Sequence, residues 1–230
     1  MKRKVLASSV FNAEGYKAPV SKFPYRINGN VEIVKDTYYK DSFYTMENVM
    51  GKEYFYTGNK PMEINLLQIN HKTWMIDDPL HWFGTHEFLA NAMIKTNPET
   101  LDTLLVAGLG LGLIIMAALE YPFKEIIVIE REKAVIELIS LNLNELYGDK
   151  MRRVKIINDD FYHYCAENHN RFTPSVVYAD LAVGNPEETK IDLLKMITIP
   201  TAFWPNTPVA VFGARGKNGL GVWFGDKSKM

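Results

Sequence analysis

The stretch LDTLLVAGLGLGLIIMAALE, residues 101–120, joins a nearly unbroken apolar run to a glycine-punctuated turn and then to a second apolar segment. Residues 101–107 show no polar alternation, the pattern of a strand buried on both faces. Gly108, Gly110 and Gly112 follow at once. Glycine there lets the backbone turn sharply and lets a ligand approach without a Cβ in the way, although such a turn also serves close packing alone. A helix is expected from about Leu111 to Glu120.

Downstream the alternation repeats. EIIVIE (125–130) reads as a second strand, and Glu132 to Tyr147 as a helix with Val135, Leu138, Ile139 and Leu146 on one side. RVKIIN (153–158), SVVYAD (175–180) and PVAVFG (208–213) supply three more strands, with helices at about 161–168 and 187–199 between them. Strands alternating with helices imply an α/β domain, a Rossmann-like and mostly parallel sheet with helices on both faces. The residues after PVAVFG read as a brief glycine-rich tail.

Upstream the character differs. Residues 1–29 contain Gly15, Pro19, Pro24 and Gly29 without a clear period and read as an arm. NVEIVKDTYY, KEYFYTG and MEINLLQINHKTWMI, between residues 30 and 76, are strand-like runs separated by turn residues such as Asn70-His71. The expected organisation is an arm with a small β-rich domain over residues 1–80, then the Rossmann-like domain over 81–230. An amphipathic helix over His81 to Lys95 is expected to lead from one to the other.

Composition narrows the function classes. The chain has 230 residues, 47% of them hydrophobic, enough to bury a sizeable core. Its 26 basic and 27 acidic residues leave a net charge of -1, without the basic excess of a nucleic-acid binder. The single cysteine, Cys165, forms no internal disulfide and suits a reducing compartment; it reads as a buried thiol. One cysteine and five scattered histidines point to no metal site. No run approaches the ~18 apolar residues of a membrane span, so a soluble, cytoplasmic protein is expected.

The acids complete the pattern. Glu130 closes the second strand, where a carboxylate can accept both hydroxyls of a ribose. Asp159 and Asp160 follow the third strand, within reach of an adenine amino group, and Asp180 closes the fourth. Open α/β sheets bind ligands across this carboxyl edge. A dinucleotide fits less well, because G-x-G-x-x-G would need glycine where Leu113 stands. No P-loop pattern occurs. An adenosyl ligand is the expected occupant.

AGLGLG, VIERE, INDDFYHY and VVYADL, in this order, resemble the successive motifs of class I S-adenosylmethionine-dependent methyltransferases over roughly residues 80 to 213. The layout is similar to the spermidine synthase-like branch, which also carries a small N-terminal β domain and an acidic stretch with a His-Glu pair ahead of the glycine turn, here Asp77-Asp78 and THEF. The resemblance implies ribose binding by Glu130, adenine contact by Asp160 in preference to Asp159, and Asp180 at the reaction centre. His86 can either shape the sulfonium pocket or serve a structural role, and the amino-acid end of the ligand has lost its usual acidic partner unless Asp78, Glu87 or Asp180 replaces it. The pattern departs at Val106, where methyltransferases commonly have an acid, at Leu111, where spermidine synthases have Asp, and in DLAVGNPEE, which keeps only Asp180 of the usual motif.

Three functions follow as expectations. The first is S-adenosylmethionine-dependent transfer to a small molecule, methyl transfer by default, with Asp180 accepting or orienting the proton of the attacking group. The second is aminopropyl transfer from decarboxylated S-adenosylmethionine. The third is a degenerate, non-catalytic ligand-binding or assembly protein, with the N-terminal strands offering edges for a homo-oligomer.

Overall fold

The computed structural model describes residues 19–24, 26–38, 46–47, 53–54, 62–77, 82, 85–86, 89, 101–181, 186–216 and 219–223. Twelve strands are found among them: β1 (Arg26–Asn28), β2 (Val31–Tyr38), β3 (Met46–Glu47), β4 (Glu53–Tyr54), β5 (Met62–Ile69), β6 (Lys72–Ile76), β7 (Thr103–Ala107), β8 (Glu125–Glu130), β9 (Val154–Asn158), β10 (Val176–Ala179), β11 (Val209–Gly216) and β12 (Gly219–Trp223). Four α-helices accompany the second half: α1 (Leu113–Ala118), α2 (Lys133–Tyr147), α3 (Phe161–Asn168) and α4 (Pro186–Phe203).

The larger sheet has the order β12-β11-β10-β7-β8-β9. β11, β10, β7, β8 and β9 are parallel, and β12 joins the edge antiparallel to β11. In this Rossmann-like arrangement the chain begins at β7, winds outward through β8 to β9, then returns to the other side of β7. The switch point lies between β7 and β10, where loops diverge and leave a crevice.

Strand alternation sorts the core into two layers. Leu104, Val106, Ile126, Val128, Val176 and Tyr178 face α1 and α2 in one cluster. Leu105, Ala107, Ile127, Ile129, Val177 and Ala179 face α3 and α4 in another, with Phe161, Cys165 and Met196. Because both faces are covered, the strands read as continuous apolar runs.

The N-terminal strands form a four-stranded antiparallel sheet, β1-β2-β5-β6. Asn70 and His71 link β5 to β6 with φ of 52° and 60°, the two left-handed residues that suit a tight hairpin. Val31, Ile33, Leu67 and Ile69 of this sheet belong to the same apolar cluster as α1 and α2, so this sheet packs on the helical layer that covers one face of the larger one. The pairing of β5 with β6 shifts between Leu67 and Gln68: Leu67 faces Met75 and Gln68 faces Thr73, leaving Trp74 as an extra residue. Such a bulge lets two successive side chains lean toward one side.

Three local expectations change. Residues 26–28, read as part of an arm, form β1, held to α2 by Arg26 on Glu145 at 2.6 Å and by Asn28 Nδ2 on the Ala134 carbonyl at 3.2 Å. The glycine-rich tail supplies β12, because backbone pairing with β11 needs no apolar side chains. The last helix continues past Pro200 to Phe203, and the Trp204 N–H still reaches the Pro200 carbonyl at 2.8 Å. Of the helix expected over 81–95, residues 82, 85, 86 and 89 are helical and the others lie outside the described residues. Among the described residues no helix is long and apolar enough to cross a membrane.

Candidate functional site

A cleft of ≈ 200 Å³ opens at the carboxyl edge of the parallel strands. Its floor is the β7 turn, its sides come from the ends of β8, β9 and β10, and the N-terminal sheet closes it through Leu67, Ile69, Trp74 and Met75. Gly108, Gly110, Glu130, Asp159, Asp160 and Asp180 all border this one space.

Glu130 is the best-oriented of these acids. Its Oε2 accepts the Leu109 N–H and its Oε1 accepts the Glu132 N–H, each at 2.9 Å. The carboxylate is thus tied to the glycine turn on one side and to the start of α2 on the other. Each oxygen has a second lone pair, and the group lines the cleft, so it can accept further hydroxyl donors without giving up either bond.

Asp160 has a structural task as well. Its Oδ1 accepts the N–H groups of Tyr162 at 2.9 Å and His163 at 3.0 Å, which makes it the N-cap of α3. Asp159 lies 3.0 Å from His163 Nδ1 and its Oδ1 accepts the Asp160 N–H at 2.8 Å. The Asp180 N–H donates to the Ala107 carbonyl at 3.0 Å, which extends the β7–β10 pairing to the cleft.

The three glycines have three different neighbours. A Cβ on Gly108 would stand 2.5 Å from the Asp180 carbonyl oxygen, and one on Gly112 would press on Ile139 and Leu143 of α2. A Cβ on Gly110 would collide with Met75 Sδ. Gly112 therefore serves packing of the turn against α2 and does not border the cleft. Leu109 and Leu111 point into the core at 1% and 0% exposure. The side chain lying on the turn is Met75, whose sulfur accepts the Leu111 N–H at 3.1 Å.

His86 stands elsewhere. Its Nδ1 is 3.4 Å from the Tyr121 hydroxyl, and its ring packs edge-on against Trp82 at 4.4 Å. Tyr121 follows α1, and its carbonyl accepts from Arg153 just ahead of β9, so this cluster lies toward the amino edge of the sheet. The helix around it directs Thr85, not His86, to the cleft. Burial lowers the His86 pKa, with the Glu120 charge opposing. Asp78 and Glu87 lie outside the described residues. Asp77 is buried and engages β5 instead, accepting the Asn65 N–H and side-chain amide at 2.6 Å each.

Several cleft residues carry no signature in the sequence. Tyr162 and Asp192 both line the cleft; burial first, then the charges of Asp192 and Asp160, push the Tyr162 hydroxyl up to about 12. It is a neutral donor at physiological pH. Tyr178 is 2% exposed, with its hydroxyl 3.4 Å from Thr85 Oγ1. Burial and the neighbouring Asp180 raise its pKa well above the usual value. It packs with the α1–α2 layer, as strand alternation requires, while its ring also borders the cleft.

No family model matches this sequence, and no curated protein matches it. Solved structures do. A spermidine synthase from Thermotoga maritima is 13% identical with a TM-score of 0.48, covering 66% of this chain and 53% of that one. A methyltransferase from Geobacter sulfurreducens is 14% identical, TM-score 0.41, covering 63% and 65%. Human methyltransferase-like protein 13 in complex with SAH is 22% identical, TM-score 0.37, covering 45% and 49%. The chain spans about half the length of the spermidine synthase it matches.

Proposed function

We propose that this chain is a transferase that binds the adenosyl group of S-adenosylmethionine, or of its decarboxylated derivative, and passes a carbon group, a methyl in the first instance, to a small-molecule acceptor. The observation that carries this reading is Glu130: a carboxylate fixed by two backbone N–H groups at the end of β8, the strand next to β7, with acceptor capacity left over in the cleft. Glu130 would hold the ribose hydroxyls. Asp159, Asp160 and Phe161 border the space an adenine would fill.

The bound sulfonium supplies an activated carbon and a thioether leaving group, so the protein's part is alignment and exclusion of water. Asp180, at the end of β10 beyond the glycine turn, would accept the proton lost by the attacking group or orient that group. Tyr178 and Thr85, neutral and mutually in reach, would line the acceptor's side.

Aminopropyl transfer is the second reading, favoured by one feature: the antiparallel sheet that closes the cleft through Trp74 and Met75. S-adenosylmethionine or its decarboxylated form is expected to raise the melting temperature, and Glu130→Ala to abolish the rise. If neither compound shifts the melting curve, the reading is wrong. Mass-spectrometric appearance of spermidine from putrescine would separate aminopropyl from methyl transfer.

A further inference from the structure

The order of strands fixes the direction in which a nucleoside would lie. A base beside Asp160 stands at the end of β9 and a ribose beside Glu130 at the end of β8, the next strand in. Neighbouring strands are about 4.8 Å apart, so the next step carries the ribose 5′ substituent over the end of β7, the turn at Gly108–Gly112. That place is taken. Met75 Sδ rests against Gly110 so closely that no Cβ would fit, and it accepts the N–H of Leu111 at 3.1 Å. This side chain, opposite Leu67 on β5 and partly buried, lines the cleft. The ≈ 200 Å³ left around it falls below the roughly 300–1,000 Å³ of common ligand pockets.

We propose that Met75 is a specificity-determining gate on the 5′ side of the cleft: its thioether covers the glycine turn, so adenosyl compounds with a short 5′ group enter more readily than those carrying an amino-acid-length tail. This rests on the adenosyl reading of the cleft, and it makes entry of the full-length donor proposed above conditional on Met75 leaving the turn. The unbranched side chain has three rotatable bonds and can leave the turn, but a long ligand must then replace both its packing on Gly110 and its bond to Leu111. A short ligand leaves both in place. Methionine suits this task because its unbranched thioether can swing off the turn without leaving a buried charge unpaired.

Calorimetric titration of the full chain with adenosine, 5′-methylthioadenosine and S-adenosylhomocysteine tests the gate. In the natural protein 5′-methylthioadenosine is expected to bind ~tenfold more tightly than S-adenosylhomocysteine, the combined loss of the weak bond to Leu111 and the packing on Gly110. Met75→Ala should bring the two together by improving only the long ligand. Met75→Leu, which keeps the bulk but removes the sulfur that accepts the Leu111 N–H, should leave a preference smaller than the natural one and larger than that of Met75→Ala. Equal affinities in the natural protein, or a preference that Met75→Ala leaves unchanged, would overturn the gate while the adenosyl reading stood. Absence of binding by all three compounds, or binding indifferent to Glu130→Ala, would instead overturn the adenosyl reading and the gate with it. The comparison within the natural protein decides the matter even if Met75→Ala does not fold.

Discussion

Replacing Glu130 with glutamine should destabilise the protein before any ligand is added. The carboxylate accepts two backbone N–H groups from opposite directions, Leu109 on one oxygen and Glu132 on the other. Glutamine keeps the size but offers one acceptor oxygen; its amide nitrogen would meet the second N–H donor to donor. Hydrogen bonds to a charged group contribute about 1.5–3 kcal/mol each. Partial exposure of Glu130 argues for the lower part of that range, about 2 kcal/mol for the lost bond. In a chain of this size about 1 kcal/mol moves Tm by roughly 2–4 °C, so a fall of about 4–8 °C is expected. Scanning calorimetry on ligand-free Glu130→Gln measures it. A Tm within ~1 °C of the natural protein would mean that these two bonds do not hold the glycine turn. The account of Glu130 as a pre-set acceptor would then fail.

Asp160→Ala should lower Tm by about 2–4 °C through loss of the α3 cap, worth about 1 kcal/mol, whereas Asp160→Ser should keep the cap and stability. If Asp160 also contacts the base, both variants lose adenosine affinity in a binding assay; equal affinity in the serine variant would confine the residue to capping. Cys165 is buried, and burial, with Asp160 adding, pushes its thiol up to about 12, so iodoacetamide at about pH 8 should label it only on unfolding. Rapid labelling of native protein would contradict its place on the buried face of α3. His86 gives a pH signature. Its folded pKa lies below the unfolded 6.5, so the unfolded chain takes up its proton first as pH falls. Stability should be full above ~6.5 and decline as pH drops through that value, until the folded imidazole also titrates. His86→Phe should flatten this slope in Tm-versus-pH measurements, and an unchanged slope would place its origin elsewhere.

The parallel sheet was legible because its strands are covered on both faces: LLVA, IIVI and VVYA, at the centres of β7, β8 and β10, carry no charged or alternating polar residue, and few other structures explain such short runs. The edges were not. β1 is three residues, Arg-Ile-Asn, whose position depends on α2 more than a hundred residues away. β12 reads as linker because two of its first three residues are glycine. For the site, strand-end position was enough to bring Glu130, Asp159, Asp160 and Asp180 around one cleft, since a side chain at a strand terminus has little choice of direction. His86 was misplaced because one helical step separates it from Thr85, and the sequence does not say which of the two turns inward. Met75 had no local mark at all. The one hint lay at the far end of the contact: Gly110 needs a close neighbour, but nothing in the turn says whether a ligand or the protein itself provides it.

The surplus residue in β6 has a consequence for how this cleft can change over time. On one side of Trp74 the rungs are Gln68 with Thr73, and on the other Leu67 with Met75. Excising codon 74 would therefore close the hairpin into an ordinary ladder with every other rung intact. An aromatic wall could be gained or shed by a three-nucleotide insertion or deletion, and the latch beside it would keep its place.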